Sequence, residues 1–241
     1  MTRERAGRVA VVIPALNEER YIGKVVRHAR ARPEVDAVFV VYDGSGDRTA
    51  AAARRAGARV IVHPRNRGVG AAIRSGYVAA ARAGFRTAVT MGADDQDNAG
   101  EIPRLLARLE SGFDFVQGSR WLRAGRVVNI PLFRRVTTIL YSLIFTVLVG
   151  RRITDGTNGF RAVRLACLKG LHLDQRWLDT YELEPYLYWH MIRHGWRVGE
   201  APVTKRYPKA AHGYHYTKMR AFRDWWRILR PLILLTLRLR R

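Results

Sequence analysis

Cysteine occurs once in the 241 residues, at Cys167, so no internal disulfide can staple the fold and the chain suits a reducing compartment. Acidic residues are scarce as well: 20 Asp and Glu stand against 43 Lys and Arg, a formal net charge of +23. Such an excess of cations points to a polyanionic partner, whether nucleic acid, an anionic membrane surface or a phosphorylated substrate. Long apolar runs are few. The N-terminal "MTRERAGRVAVVIPALNEE" has only a short one before Pro14, which falls short of a secretory signal core. Internal repeats, low-complexity tracts and linkers are lacking too. What remains, 48% hydrophobic and 26% charged residues, is enough to bury a full core.

The chain has a rhythm. "RVAVVIP", "DAVFVVYDGSGD", "ARVIVHP" and "FRTAVTMGADD" read as short buried strands. Between them "NEERYIGKVVRHARAR", "RTAAAARRAG" and "GVGAAIRSGYVAAARAG" have helical spacing. Strands alternating with helices of this length predict βαβ units and a mostly parallel α/β sheet. Ligands of such sheets sit at the carboxyl ends of the strands. The loops there are "PALNEE", "YDGSGD", "HPRNRGVG" and "MGADDQD". Taken singly, each has a plain explanation. The Asp43–Asp47 stretch suits a turn and helix cap, and glycines before a helix often serve close packing. The acidic loop is harder to dismiss, because three carboxylates within four residues repel one another unless cations offset them.

Together, "VVIPALNEE", "DGSGDRT", "NRGVGAAIRSG", "MGADDQD", "GSRW", "DGTNGFRAVR", "YELEPYLYWHMIRHGWRVGEAPV" and "TKM" resemble a family 2 glycosyltransferase with the GT-A fold, nearest to the dolichyl- or polyprenyl-phosphate sugar transferases. The resemblance spans roughly Val9 to Met219. It implies a Rossmann-like GT-A catalytic domain over 1–219, followed by a basic amphipathic segment over 220–241. It also implies a nucleotide-diphosphate sugar donor held by Pro14, Leu16, Asn17, Glu18, Asp43, Gly70, Asp94 and Lys218. The metal, Mg²⁺ or Mn²⁺, falls to Asp94, with Gln96 as second ligand. Two positions depart from the family pattern. Tyr42 replaces an acid, and Gly92 stands where the first carboxylate of Asp-x-Asp is expected, leaving Asp95 and Asp97 as nearby substitutes. Mg²⁺ commonly takes only one or two protein carboxylates, filling the rest with phosphate and water, so the loop can still hold it.

The acceptor divides two readings. A phosphate monoester is already anionic near neutral pH and needs cations rather than a base. Arg120, the pair Arg134–Arg135, Arg161 and Lys218 are the candidates, Arg120 and Arg135 foremost. A hydroxyl acceptor needs a general base, for which Glu182 and Glu184 are available, although acids there also suit the start of a helix. Two tracts concern membranes. Val136 to Gly150 is uncharged for 15 residues, a rise of about 22 Å against a hydrocarbon core of roughly 30 Å, which favours a buried or interfacial helix over a span. The C-terminal "FRDWWRILRPLILLTLRLRR" mixes Trp, Leu and Arg as interfacial segments do. The expectation is therefore inverting hexosyl transfer to polyprenyl phosphate by a peripheral enzyme at the cytoplasmic membrane face, with no nucleic-acid partner. A membrane-protein partner or homo-oligomer, a hydroxyl acceptor and a non-catalytic relative remain alternatives.

Overall fold

The computed structural model describes residues 8–207 and 223–239. Four βα units come first: β1 (Val9–Ala15), α1 (Glu19–Arg30), β2 (Ala37–Asp43), α2 (Thr49–Arg55), β3 (Arg59–His63), α3 (Val69–Arg82), β4 (Thr87–Thr90) and α4 (Ile102–Glu110). Then follow β5 (Phe115–Ser119), β6 (Arg126–Val128), α5 (Leu132–Val149), β7 (Arg161–Arg164), α6 (Leu183–Arg193), β8 (Val198–Pro202), β9 (Thr204–Arg206) and α7 (Arg223–Thr236). The main sheet has the order β3-β2-β1-β4-β7-β5-β8. Only β7 runs antiparallel to its neighbours, so the expected mostly parallel sheet is present. β6 and β9 form a separate parallel pair.

The central strands read as unbroken apolar runs because both faces are covered. Side chains alternate along β1. Val9, Val11 and Ile13 join α1 and α4 in one core, through residues such as Ile22, Val26, Leu105 and Leu109. Ala10 and Val12 face a second core with Tyr77 of α3, Phe145 of α5 and Tyr186 of α6. Helix termini follow their chemistry: α1 ends with Arg27, His28 and Arg30 against its dipole, and α5 stops at Gly150, whose φ of 67° gives a left-handed cap.

The apolar tract expected near Val136 to Gly150 is a helix that begins earlier, at Leu132, and it is not buried. Its inner stripe, Tyr141, Phe145 and Val149, packs on the domain. Its outer stripe, Leu132, Val136, Leu140, Leu143 and Val147, is exposed. By length and composition alone this helix could cross a membrane. The apolar residues of α7 are divided. Leu232 and Leu235 are fully buried in the second core, with Ile228 and Leu229 packed against it, whereas Trp226, and Leu237 and Leu239 just after the helix, are exposed. Removing the chain after Phe222 would therefore open the core as well as removing surface cations. Arg240 and Arg241 lie outside the described residues.

His190 is buried on α6 against Tyr186, Trp189 and His194, and neither ring nitrogen finds a hydrogen-bond partner. Burial pushes its pKa down to about 4 from 6.5, with the neighbouring His194 and His172 adding to the effect. The folded chain thus binds this proton less readily than the unfolded chain does. Stability should be full above about pH 6.5 and fall as pH drops toward 4. In urea unfolding across this range, His190→Phe should flatten the slope; an unchanged slope would place its origin elsewhere.

Candidate active site

A cleft of about 450 Å³ opens at the carboxyl ends of β1 and β4, where a doubly wound sheet places its ligands. Its lining includes Pro14, Asn17 and Glu18 after β1, Gly92, Asp94, Gln96 and Asp97 after β4, and Arg134, Thr157, Asn158, Glu184, Lys205 and Tyr207 from later segments. Leu16 leaves β1 beside it without lining it. The β1–α1 loop is fixed by reciprocal bonds to the loop after β2. Asn17, at φ 52°, donates its amide to Ser45 Oγ at 2.9 Å, and its own Oδ1 accepts the Gly46 amide at 2.8 Å. Glu18 donates its amide to Thr49 Oγ1 at 2.8 Å. A short polar side chain that tolerates a left-handed backbone is what this turn requires.

Two expected donor ligands serve the framework instead. Asp43 is buried and its carboxylate accepts the amides of Arg67 at 3.0 Å and Gly68 at 2.8 Å. It also meets His63 Nδ1 at 2.7 Å, and His63 Nε2 lies 2.9 Å from Ser75 Oγ. Asp43 thus clamps the β3–α3 loop and does not line the cleft. Gly70 is there for close packing. A Cβ on it would meet the Leu178 carbonyl at 2.1 Å and the Thr180 carbonyl at 2.5 Å. Lys218 lies outside the described residues.

The acidic loop divides its carboxylates among different tasks. Asp94 lines the cleft and, among the described residues, accepts the Gln96 amide at 3.3 Å and makes no ion pair, although the Lys205 ammonium is close enough to feel its charge. Asp95, at φ 59°, turns away to bind Lys24 at 2.5 Å on the surface, which removes it from the metal role expected for it. Asp97 accepts the Gly92 amide and the Lys205 ammonium, each at 2.8 Å. Gln96 is buried and lines the cleft. Among the described residues no three His, Cys, Asp or Glu side chains form a metal cage. A carboxylate that makes no ion pair among the described residues, a glutamine beside it and room for phosphate oxygens nevertheless suit a hard divalent ion. The residues present therefore fit Mg²⁺ or Mn²⁺, which Asp94 and Gln96 would hold.

The cations are also redistributed. Arg120 grips Asp155 through Nε and Nη2, both at 2.7 Å, and further donates to Tyr207 Oη at 2.7 Å and Thr157 Oγ1 at 2.6 Å. Burial weakens its charge, but the Asp155 carboxylate and Tyr207 outweigh that and raise its pKa. It shapes the cleft wall, with most of its hydrogen-bonding capacity committed within the protein, in place of the acceptor-binding role expected of it. Arg135 is exposed, its guanidinium 6.0 Å from the Trp121 ring, and does not line the cleft. Its neighbour Arg134 is the one that lines it, over the Tyr207 ring at 5.1 Å. Glu184 lines the cleft but is paired to buried Arg161. Glu182 is buried and bonded to Arg230 of α7 at 2.7 Å, so it is no base in the cleft. Lys205 and Tyr207 escaped the sequence reading because the three-residue β9 has no periodicity to reveal it. Thr157 and Asn158 lay within the quoted "DGTNGFR" without an assigned part.

The family model "Glycosyl transferase family 2" matches residues 10–171. Among curated proteins, the polyprenol monophosphomannose synthase of Mycolicibacterium smegmatis is 33% identical over 82% of this chain and 77% of its own length. The undecaprenyl-phosphate mannosyltransferase of Micrococcus luteus is 33% identical over 82% and 83%. The dolichyl-phosphate hexose transferase of Haloferax volcanii is 30% identical over 86% of each. Among solved structures, glucosyl-3-phosphoglycerate synthase from Mycobacterium tuberculosis with Mn²⁺, UDP and glucosyl-3-phosphoglycerate shares the fold, with a TM-score of 0.71 over 95% of this chain and 80% of that one, at 20% identity.

Two outcomes follow from this geometry. Asp155→Asn leaves the buried Arg120 without its counter-ion and should cost about 3–5 kcal/mol of stability, measurable by denaturant unfolding. Asp94→Asn should leave the melting temperature near wild type while lowering sugar transfer by roughly a hundredfold or more, since a metal's charge stabilisation amounts to several kcal/mol. Full turnover in that variant would remove Asp94 from the metal.

Proposed function

The chain belongs to glycosyl transferase family 2, and from that membership we propose that it transfers a hexose, with inversion, from a nucleotide-diphosphate sugar to polyprenyl phosphate at the cytoplasmic face of a membrane. One observation carries the choice of acceptor. The helix that brings Arg134 to the cleft, α5, continues outward as the exposed stripe Val136, Leu140, Leu143 and Val147. A phosphate headgroup with an apolar tail has the same layout. The relatives named for polyprenol, undecaprenyl-phosphate and dolichyl-phosphate substrates support it, and the single cysteine suits a reducing compartment.

In this reading the β1–α1 loop and the edge of β4 receive the donor. A divalent ion on Asp94 and Gln96 would supply Lewis-acid neutralisation of the diphosphate as the glycosidic bond breaks. The Arg134 fork orients the acceptor phosphate, whose oxygen attacks the anomeric carbon from the face opposite the leaving diphosphate. The nucleophile is already an anion, so no proton needs removing. Glu184, engaged by Arg161, holds that wall of the cleft. Residues 1–219 carry the chemistry, while residues 220–241 add membrane contact to their packing role. The outer stripe of α5 and the basic C-terminal segment lie against anionic lipid, where each nearby cation contributes on the order of 1 kcal/mol.

The acceptor is tested with polyprenyl phosphate and a panel of UDP- and GDP-hexoses in Mn²⁺. Arg134→Ala should raise the acceptor KM about tenfold or more, and Glu184→Gln should keep turnover within about tenfold of wild type; each bidentate charged contact is worth roughly 1.5–3 kcal/mol. An indispensable Glu184 with an expendable Arg134 would instead identify a hydroxyl acceptor and a general base. Membrane contact is tested separately by Leu143→Glu with Val147→Glu, two exposed sites whose change spares the core. The doubly substituted protein should stay in the supernatant when wild type sediments with anionic vesicles, and equal sedimentation would exclude α5 as the contact.

A further inference from the structure

Gly92 lacks a side chain, yet the space it leaves is bordered by acid on two sides. Asp97, five residues on, accepts the Gly92 amide at 2.8 Å through Oδ2. A Cβ at position 92 would lie 2.9 Å from Asp94 Oδ1 and 3.3 Å from that same Asp97 oxygen. The carboxylates of Asp94 and Asp97 therefore flank the volume that a side chain at 92 would occupy. Asp95 cannot compete for it, being turned to the surface with Lys24. The other oxygen of Asp97 holds Lys205 Nζ at 2.8 Å, with the Asp97 side chain 1% and the Lys205 side chain 13% exposed. Burial works against the Lys205 ammonium, but Asp97 and then Asp94 reverse that and raise its pKa. A buried ion pair is expensive to desolvate and adds little to stability over apolar packing, yet this one lines the cleft.

On the donor-site reading given above, we infer that Asp97 is the second carboxylate of the divalent-cation site, standing in space for the one Gly92 lacks, and that Lys205 is its resident counter-ion, which passes to the donor diphosphate when the divalent ion arrives. Lys205 suits the exchange: its ammonium is compact and sits on a flexible four-carbon stem. Displaced from Asp97 by a stronger cation, it would be left beside like charge unless an anion came with the metal. The diphosphate is that anion. Metal and nucleotide should therefore bind as a coupled pair, each strengthening the other by the same factor.

The test reads Mn²⁺ binding by the electron paramagnetic signal of free Mn²⁺, with no nucleotide, with UDP and with GDP. Wild type should bind Mn²⁺ more tightly with a nucleotide present, and Lys205→Met should raise the nucleotide-free affinity and shrink that difference. Asp97→Asn combined with Lys205→Met avoids stranding a buried charge, and a melting curve confirms its fold. With nucleotide it should bind Mn²⁺ about tenfold more weakly, the lower end of what lost support at a metal site costs. Adding Gly92→Asp should return the affinity to within about threefold of wild type, because the carboxylate is restored from the other side of the same space. Wild-type affinity in the folded Asp97→Asn, Lys205→Met protein would overturn the inference and leave Asp94 as the only carboxylate. No Mn²⁺ binding by wild type with either nucleotide would overturn the donor-site reading beneath it as well.

Discussion

The buried pair between Arg120 and Asp155 holds the far half of the cleft together. Arg120 follows directly on β5, and Asp155 lies in the segment between α5 and β7. Their bidentate contact is extended by Thr157 and Tyr207 on the guanidinium side. On the other side, Glu200 of β8 accepts the amides of Thr154 and Asp155. Burial raises the Glu200 pKa despite the Thr154 hydroxyl and those amides, so its ionised form is held at some cost. Such a network persists only when nearly every donor and acceptor is satisfied, because one missing partner leaves a buried charge uncompensated. In return it fixes Thr157 and Tyr207 at the cleft.

The first four strands were legible because their physics is simple. A strand covered on both faces is apolar through its middle, as Val9–Ala15 and the first five residues of β2 are, and the edge strand β3 still keeps Val60, Ile61 and Val62 in a row between Arg59 and His63. β7 was not legible. It opens with Arg161 and closes with Arg164, whose charges are answered by Glu184 and Asp114 from distant segments. A polar strand stabilised by long-range pairs has no local signature. The three-residue β6 and β9 carry no period either. The same reason divides the site. Asp94 and Gln96 came out in the cleft as expected, since the strand end that carries them places them there. The contacts of Asp43, Arg120 and Arg135 were not legible because a sequence shows a charge without its partner. His63 with two backbone amides, Asp155 and Trp121 decide those three, and each is contributed by folding. Gly70 misled for a related reason: a glycine needed for backbone contact with Leu178–Thr180 looks the same as one needed for a phosphate.

The net charge of +23 also reads differently once residues are placed. The cleft itself is mixed, with Arg20, Arg134 and Lys205 near Glu18, Asp94, Asp97 and Glu184. The surplus of arginine lies elsewhere, so overall charge speaks to a broad anionic surface more than to the site's chemistry. A cleft holding both signs suits a reaction in which a metal, a diphosphate and an anionic nucleophile must all be accommodated, because no single sign could receive all three.

The C-terminal helix joins these themes. Glu182 begins α6 next to cleft residues Tyr181 and Glu184, and it is bonded to Arg230 of α7. Leu232 and Leu235 seat α7 in the core, while Trp226, Leu237 and Leu239 remain outside. Packing and surface contact therefore draw on different residues of α7 and the turn that follows it. A lipid surface could take up the outer residues without withdrawing the inner ones, so membrane contact would carry no unfolding cost. The outer stripe of α5 has the same division of labour, and Trp225 links the two helices by its ring contact with Phe133 at 5.0 Å. Helix α5, anchored inward by Tyr141, Phe145 and Val149 and apolar outward, forms with the packed α7 a platform, and Arg134 lies on α5 where it meets the cleft. A headgroup that must reach Arg134 while its tail stays among lipids needs a short, fixed distance between the two, which a platform provides and a flexible tether does not.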